Sequence, residues 1–143
     1  MQKLFKSTQI YVIFSLGDDL MDCIFCKIIN GEIPCKKIYE DDKVIAFMDI
    51  DPTVDGHTLV VPKKHYTDYT QLDDEIILHM NKVKKELTNY LMEKLNVNAM
   101  TFTMNYGDSQ VVKHVHLHLL PNFLVKTKPE RTIDEVYEII KPE

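Results

Sequence analysis

The segment His114–Leu120, which reads HVHLHLL, decides how this sequence is interpreted. Histidines alternate with apolar residues along it, and in a β-strand successive side chains point to opposite faces of the sheet. The pattern therefore predicts a strand over Val112–Leu120 with one face packed on the core. The histidine face carries His114, His116 and His118, and the apolar face carries Val115, Leu117 and Leu119.

The row of three imidazoles has three interpretations. A solvated strand face is the simplest, but each ring has two nitrogens that need partners and offers only modest burial. A His-x-His pair can also bind zinc. A neutral imidazole can instead attack phosphorus near pH 7 while a neighbouring ring donates a proton. Metal sites of this kind commonly add a nearby carboxylate, yet no acidic residue follows until Glu130, which favours phosphorus chemistry.

Hydrophobic periodicity divides the rest of the chain into helices and strands. Apolar residues recur three or four positions apart after Asp73, which predicts a capped helix of more than twenty residues. A capping-box pattern predicts a C-terminal helix over residues 132–140. The fold class is therefore α+β, with about five mostly antiparallel strands and one long helix packed on the sheet. The other predicted elements are a short helix at Cys23–Asn30 and strands at Lys37–Glu40, Val44–Asp49, His57–Val61 and Ala99–Asn105.

The composition is typical of one globular domain. The chain has 143 residues, of which 45% are hydrophobic and 27% charged, and its formal net charge is −5. This balance argues against a broad nucleic-acid-binding surface, which needs a basic face. Three cysteines cannot all pair within one chain, so we expect reduced thiols and a cytoplasmic location.

The first twenty residues contain a short apolar run, Ile10–Phe14, that faintly resembles a signal peptide. No small-residue cleavage site follows it, and the run is far too short to span a bilayer. We therefore expect no membrane partner. Residues 1–20 are predicted to form an N-terminal tail, disordered or upstream of a true start at Met21, and residues 21–143 to form one domain.

Four parts of the chain resemble motifs of the histidine triad (HIT) family, in the family's order. They are Cys23–Ile29, Asp49–His65, the loop residues Asn105, Gly107 and Gln110, and the triad His114–His118. The resemblance implies a HIT-like fold and a homodimer that joins two sheets into one. It also implies hydrolysis of nucleoside phosphoramidates, adenylates or dinucleoside polyphosphates. The third histidine differs from the nucleotidylyltransferase branch of the family, which carries glutamine there.

The resemblance further implies a role for each matched residue. His116 is the expected nucleophile, which attacks the α-phosphate and forms a nucleotidyl-phosphohistidine that water hydrolyses. His118 and His57 are expected to bind the phosphate and help to move protons, and Asp49 to accept the ribose hydroxyls. For the apolar candidates the alternative is an ordinary core position. The remaining nucleotide-binding candidates are Ile24, Phe25, Ile28, Ile33, Phe47 and Ile50 at the purine, Asn105 at the ribose-phosphate, and Gln110 at the phosphate or leaving group.

The Cys23-x-x-Cys26 pair alone is ambiguous between a redox pair, half of a metal site and coincidence. Two histidines, His65 and His114, are available to complete a metal site. The resemblance to HIT members with this cysteine pair implies zinc held by these four residues. Four protein ligands make such an ion structural. The residues left over are Cys35, interpreted as a free thiol, and His79, interpreted as a solvated surface residue.

The loop before the triad departs from the family pattern. Ser109 and Val111 stand where glycine and a small hydroxyl residue are usual, and the loop is about two residues short. A hydroxyl donor to phosphate is therefore missing at Val111. The alternative to the hydrolase is accordingly a purine-nucleotide-binding or partner-binding module with weak catalysis. A third interpretation is a zinc protein whose histidines are ligands rather than nucleophiles.

Overall fold

A computed structural model describes residues 22–143, in which strands and helices follow the predicted order. The predicted N-terminal tail, residues 1–20, lies outside the described residues. Single 3-10 turns occur at Tyr69–Gln71 and Gly107–Ser109. The helices are α1 (Ile24–Ile29), α2 (Asp74–Leu95) and α3 (Ile133–Ile140), and the strands are β1 (Lys37–Glu40), β2 (Val44–Met48), β3 (Thr58–Pro62), β4 (Met100–Thr103) and β5 (Leu117–Pro121).

The five strands form one sheet in the order β1-β2-β3-β5-β4, and every neighbouring pair is antiparallel. This arrangement confirms the predicted α+β architecture. Between β3 and β5, Leu59 pairs with His118 and Val60 pairs with Leu117. Because directly opposite residues project to the same face, His118 shares its face with Leu59, whereas Leu117 lies on the opposite face with Val60.

The two faces of the sheet are covered by different helices. The face that carries Val60 and Leu117 packs against α2 in the main core. The face that carries His118 is covered by the short helix α1, over a second apolar cluster. The histidine site therefore lies on the α1 side of the sheet. The buried members of the second cluster are Phe25, Ile45, Phe47, Leu59 and Val61.

Helix α2 confirms the prediction made from apolar spacing. It ends at Asn96, which takes the left-handed conformation (φ 55°) that asparagine tolerates. The predicted cap at its start is wrong in one respect. Asp73 occupies the N-cap position, but its carboxylate accepts the Tyr66 hydroxyl (3.0 Å) and makes no capping bond. The buried stripe consists of Ile76, Met80, Val83, Leu87 and Leu91.

The last strand is shorter than the prediction over Val112–Leu120. β5 begins only at Leu117, because the preceding segment bends and the Val115 N–H donates to the carbonyl of Tyr66 (2.8 Å). The predicted faces are nevertheless correct, since Val115, Leu117 and Leu119 all belong to the main core. β1 covers the predicted residues Lys37–Glu40. The other three strands differ from the predictions by one or two residues at their ends, with β2 ending at Met48, β3 covering Thr58–Pro62 and β4 covering Met100–Thr103.

Two further predictions concern the C-terminal helix and His79. The predicted capping box is present in α3, with reciprocal bonds between Thr132 and Glu135. The interpretation of His79 as a solvated residue is wrong, because the ring is half-buried and its Nε2 lies 2.7 Å from Oδ2 of Asp41. This contact anchors the β1–β2 turn on α2. Within residues 22–143 no helix is long and apolar enough to cross a membrane.

Candidate active site and metal cluster

Three histidines meet on the α1 side of the sheet, where β3 and β5 run side by side. His57 immediately precedes β3, and its ring centroid is 5.1 Å from that of His118 in β5. The centroids of His116 and His118 are 4.9 Å apart. His57 and His116 are 4% and 7% exposed. The fold therefore brings the three predicted catalytic residues into one largely buried group.

Backbone groups determine which nitrogen carries the hydrogen in two of these rings. The N–H of Thr53 donates to Nδ1 of His57 (3.0 Å), so the hydrogen of the neutral ring is on Nε2. That Nε2 lies 2.8 Å from Nδ1 of His118 and donates to it. His118 therefore carries its own hydrogen on Nε2. The hydrogen-bond chain from Thr53 through His57 to His118 thus ends in an N–H donor.

His116 has the opposite arrangement. Its Nδ1 lies 2.8 Å from the carbonyl oxygen of His114. A carbonyl only accepts, so Nδ1 carries the hydrogen and Nε2 keeps its lone pair. The ring is also held by an edge-on contact with Phe25, with centroids 5.1 Å apart. The site thus combines a nucleophilic nitrogen on His116 with an N–H donor on the adjacent His118.

Burial keeps all three rings neutral. Desolvation, which penalises the imidazolium form, lowers the pKa of His57, His116 and His118 to about 4 in each case. Mutual repulsion between the neighbouring rings makes a smaller contribution to these lowered pKa values. At pH 7 the nucleophilic nitrogen of His116 therefore has its lone pair without the help of a separate base.

A second group, here called the Cys/His cluster, consists of Cys23, Cys26, His65 and His114. Its ligand atoms all lie within 4.8 Å of one another. Nδ1 of His114 is 3.4 Å from the sulphur of Cys23 and 3.6 Å from that of Cys26. Nδ1 of His65 is 3.3 Å from the Cys26 sulphur and 3.1 Å from Nδ1 of His114. Tetrahedral zinc with thiolate and imidazole ligands needs ligand separations of about 3.3–3.8 Å. The three sulphur–nitrogen distances lie in this range and the nitrogen–nitrogen distance is slightly shorter, so the cluster is close to the geometry that this ion needs.

Local structure prepares these side chains for a metal. Cys23 is the N-cap of α1, and its sulphur accepts the N–H of Cys26 (3.4 Å). Nε2 of His114 donates to the carbonyl of Pro62 (2.8 Å), which leaves Nδ1 as the ligand nitrogen. The hydrogen bond between the two thiol groups lowers the pKa of Cys26 to about 3 and raises that of Cys23. Cys26 is therefore held as the thiolate, the form in which cysteine binds metals.

A third group, Asp49, His57 and His118, also has ligand atoms within 4.8 Å. Its hydrogen bonds do not suit a cation, because Nε2 of His57 faces the other two groups and carries a hydrogen. With Nδ1 bonded to the Thr53 N–H, that ring could take a metal at Nε2 only as an imidazolate. The Cys/His cluster is thus suited to a metal, and this third group to hydrogen bonding.

Four of the six apolar residues predicted to hold the purine lie in α1 or in the apolar cluster that it covers. Phe25 and Phe47 are in edge contact, with ring centroids 5.5 Å apart. Ile24 and Ile28 are partly buried and pack against the same apolar cluster. These four side chains form one apolar wall next to the histidines, because Phe25 also touches His116.

The other nucleotide-binding candidates lie farther towards solvent. Asp49 is half-buried, with Oδ2 3.5 Å from Nε2 of His57. Ile33 is half-buried, whereas Ile50 is 77% exposed and Asn105 is exposed. The structure therefore brings Asp49 to the histidine group but leaves Ile50 and Asn105 at the surface. Their contacts with a nucleotide stay predictions.

Gln110 is buried, and its side chain holds the loop before the triad. Its Oε1 accepts the Gly107 N–H (3.0 Å), and its Nε2 donates to the carbonyls of Thr67 (2.8 Å) and Val112 (3.3 Å). Val111 is 65% exposed. In this arrangement the amide of Gln110 is bonded to backbone groups, and its predicted contact with phosphate stays a prediction.

Sequence reasoning missed the backbone groups that set the ring tautomers. These are the N–H of Thr53 and the carbonyls of Pro62 and His114. Every residue carries such groups, so no pattern of side chains distinguishes them. The buried contact of Phe25 with both His114 and His116 was also missed, although Phe25 itself was a candidate.

Comparisons with known proteins agree with this geometry. The HIT domain profile matches residues 30–124. A HIT-like protein of Methanocaldococcus jannaschii is 49% identical over 104 residues, or 71% of this chain and 79% of that protein. Adenylylsulfatase HINT3 of Arabidopsis thaliana is 34% identical over 102 residues, or 70% of this chain and 52% of that protein. A Zn-bound histidine triad family protein of Mycobacterium smegmatis has a TM-score of 0.77 at 30% identity, covering 86% of this chain and 93% of that one.

A five-stranded antiparallel sheet with alternating histidines leading into an inner strand defines the class of histidine-triad proteins. The profile covers most of the described chain, and the relatives share both sequence and fold. This chain belongs to the HIT family.

Proposed function

We propose that this protein hydrolyses nucleoside phosphoramidates, adenylates or dinucleoside polyphosphates at the α-phosphate, with His116 as the nucleophile. The observation that carries the proposal is the 2.8 Å hydrogen bond from Nδ1 of His116 to the His114 carbonyl. This bond leaves a lone pair on Nε2 of a buried, neutral ring. Covalent catalysis by histidine requires such a nitrogen beside groups that stabilise the phosphate.

In the proposed reaction, Nε2 of His116 attacks the α-phosphorus. A P–N bond forms as the bond to the leaving group breaks, and the leaving group departs with the electron pair; an amine leaving group takes up a proton from solvent as it departs. The Nε2–H of His118 donates to a phosphoryl oxygen, where negative charge accumulates. His57 polarises that donor through its 2.8 Å bond to Nδ1 of His118. Water then attacks the phosphorus of the nucleotidyl-phosphohistidine and loses a proton to solvent, the P–N bond breaks, and Nε2 regains its electron pair, which leaves the nucleoside monophosphate and free enzyme.

We assign the nucleotide base to the apolar wall of Ile24, Phe25, Ile28 and Phe47. We assign the ribose to Asp49. Apolar surface with a few polar groups is typical of small-molecule sites. Ile24 and Ile28 are the partly exposed members of this wall, and Phe25 contacts His116. The Asp49 carboxylate lies beside His57 and has two oxygens to accept two hydroxyls. The Arabidopsis relative is an adenylylsulfatase, which supports a purine nucleotide as the substrate.

We also propose that the Cys/His cluster binds one structural zinc ion. Its interatomic distances and the Zn-bound relative of Mycobacterium smegmatis support this assignment. Zinc-binding thiols must be reduced, which agrees with the proposed cytoplasmic location. The ion would contribute folding free energy by joining α1 to the segments that carry His65 and His114.

The proposed assembly is a homodimer of one domain, residues 21–143, formed by extension of the sheet. β4 is an edge strand with β5 as its neighbour on one side. Its residue Phe102 is 44% exposed, and Tyr106 just beyond it is 58% exposed. A second copy paired along β4 would cover this apolar edge. The acidic net charge argues against nucleic acid as a partner.

The second candidate function is a nucleotide-binding module with weak catalysis. The observation that favours it is the loop before the triad, where Gln110 is bonded to backbone groups and Val111 is exposed. A phosphate bound there would receive fewer donors, and donors aimed at the developing charge contribute more to rate than to binding.

One assay separates these functions. Wild-type protein is incubated with an adenosine phosphoramidate, and adenylylated enzyme is trapped and located by mass spectrometry. We expect an adduct on His116 and steady release of AMP. His116→Ala should lose at least about 10³-fold in kcat because the intermediate cannot form, with AMP affinity changed only a few-fold. His79→Ala, which removes a histidine outside the site, is the control. Wild-type protein that binds AMP without forming an adduct would instead support the binding module.

A further inference from the structure

His114 belongs to the Cys/His cluster through its ring and to the active site through its backbone. Its Nδ1 lies 3.4 Å from the sulphur of Cys23 and 3.6 Å from that of Cys26. Its carbonyl oxygen accepts the 2.8 Å hydrogen bond from Nδ1 of His116. The group that keeps His116 in its nucleophilic tautomer is thus part of a metal-ligating residue.

The segment that carries this carbonyl is not held by the strand ladder. His114 and His116 both precede β5, whose first residue follows them. The segment is bonded instead to the last residue of β3 and to the loop that follows it. Nε2 of His114 donates to the Pro62 carbonyl, and the next backbone N–H donates to the carbonyl of Tyr66, both at 2.8 Å. The same loop carries His65, so the anchors of this segment converge on the Cys/His cluster.

Phe25 connects the two sites a second time. Its ring makes edge contacts with His114 (5.9 Å) and His116 (5.1 Å). It lies in α1 between the two cysteine ligands, Cys23 and Cys26. Any displacement of α1 that follows loss of the cluster would therefore also shift the aromatic contact against the nucleophile.

We infer that the Cys/His cluster positions the nucleophile, because a metal bound there fixes the carbonyl of His114 and, through it, the ring of His116. The inference rests on the proposed function and goes beyond a structural zinc, since it makes the four ligands positioning residues for catalysis. Without the metal, the segment before β5 gains freedom and Nδ1 of His116 loses its fixed acceptor. The ring then also populates the tautomer with hydrogen on Nε2, which has no lone pair there to attack phosphorus.

The test compares zinc-loaded wild-type protein, wild-type protein stripped by a chelator, and the Cys26→Ser variant. Cys35→Ser is the matched control, because it removes a half-buried thiol outside the cluster. Each sample is studied well below its melting temperature. The measurements are zinc content, NMR of the His116 ring nitrogens to identify the tautomer, AMP affinity, and the single-turnover rate on an adenosine phosphoramidate.

We expect one His116 tautomer, with hydrogen on Nδ1, in loaded wild-type protein and in Cys35→Ser. The metal-depleted samples should show mixed tautomers and a single-turnover rate lower by about 10–100-fold, as is typical when outer-shell partners or alignment are lost. AMP affinity should change only a few-fold, because Phe47 in β2 and Asp49 just after that strand are not part of α1. Adding zinc back to stripped wild-type protein should restore both the single tautomer and the rate.

A single Nδ1–H tautomer in folded, metal-depleted protein would overturn the inference. So would a protein that binds no metal, or one that unfolds on stripping without tautomer exchange, since the cluster would then be absent or purely structural. If Cys26→Ser does not fold, the chelated wild-type protein decides the question. If loaded wild-type protein shows no hydrolysis, the proposed function fails, whereas the tautomer measurement still decides whether the cluster positions His116.

Discussion

Gly56, which precedes the site residue His57, gives a sharp test of how tightly α2 packs beside the site. Its φ is +84°, and a Cβ placed there would lie 2.5 Å from Cδ1 of Leu95 and 3.2 Å from Cγ of Pro121. Gly31 has a similar φ of +82°, but a Cβ there would meet nothing within 4 Å. Gly31→Ala therefore measures the conformational cost alone, and Gly56→Ala adds the clash.

The expected magnitudes follow from these two terms. The left-handed conformation costs alanine roughly 1–2 kcal/mol in the folded state. Alanine also reduces the conformational entropy of the unfolded chain, which offsets about 0.4–1 kcal/mol of this cost. Gly31→Ala should therefore lower the free energy of unfolding by about 1 kcal/mol. Overpacking adds about 1–3 kcal/mol, so Gly56→Ala should cost about 2–4 kcal/mol. At about 3 °C per kcal/mol for a chain of this size, Tm should fall by roughly 6–12 °C for Gly56→Ala and about 3 °C for Gly31→Ala.

The assay is urea denaturation of both variants, each with and without Leu95→Ala. Because the nearest atom to the added Cβ is Cδ1 of Leu95, truncating that side chain should relieve most of the clash. Gly56→Ala should then cost at least about 1 kcal/mol less in the Leu95→Ala background, whereas Gly31→Ala should cost the same in both. Equal effects of the two glycine variants, or strict additivity with Leu95→Ala, would refute the packing argument.

Three further predictions concern protons and metal. For an adenosine phosphoramidate, kcat/KM should stay level down to about pH 5 and fall as the pH drops through about 4, because His57 and His118 are neutral above their lowered pKa values. An acid limb at the ordinary value of 6.5 would contradict this. Asp41→Asn should lower the free energy of unfolding at pH 7 by about 1–2 kcal/mol, against less than about 0.5 kcal/mol for the exposed Asp42→Asn. Burial opposes ionisation of Asp41, but hydrogen bonds from a tyrosine, two backbone N–H groups and a histidine outweigh this effect and lower its pKa to about 2. The stabilisation should therefore be present above the ordinary pKa of 3.8 and disappear as the pH falls from 3.8 through 2. Purified protein should contain about one zinc per chain, and Cys26→Ala should lose the metal and lower Tm, because closed zinc sites contribute folding free energy; unchanged metal content and Tm would reject the site.

The features predicted correctly from sequence are those that local patterns specify. The apolar spacing after Asp73 predicted α2, because a helix must bury one stripe of its surface. The Thr132 capping box predicted α3 from two side chains three residues apart. The alternation after His114 predicted the two faces of the last inner strand, since side-chain direction depends only on the pleat.

The features predicted wrongly depend on partners far away in sequence. The strand predicted from Val112 begins only at Leu117, because the end of β3 and the loop after it bind the intervening segment. The ring of His114 also points to the cysteine pair at α1. His79 was interpreted as a solvated surface residue of the long helix. Its partner Asp41 lies 38 residues earlier, in a turn that only the tertiary fold brings close.

The histidine rings differ in which nitrogen carries the hydrogen, because different main-chain groups bond to them. A carbonyl lies behind both His114 and His116, so the bonded nitrogen of each carries the hydrogen and the other nitrogen keeps a lone pair. One lone pair faces thiols and suits a metal, and the other lies in the active site and suits attack on phosphorus. Nδ1 of His57 instead accepts a backbone N–H, so its Nε2 carries the hydrogen and donates to Nδ1 of His118. The hydrogen of His118 is therefore on its own Nε2. Four rings of one residue type thus present two lone pairs and two N–H donors at defined positions, because carbonyl or N–H groups of the main chain set each tautomer before any substrate arrives. These positions support the proposed ligand, nucleophile and donor roles.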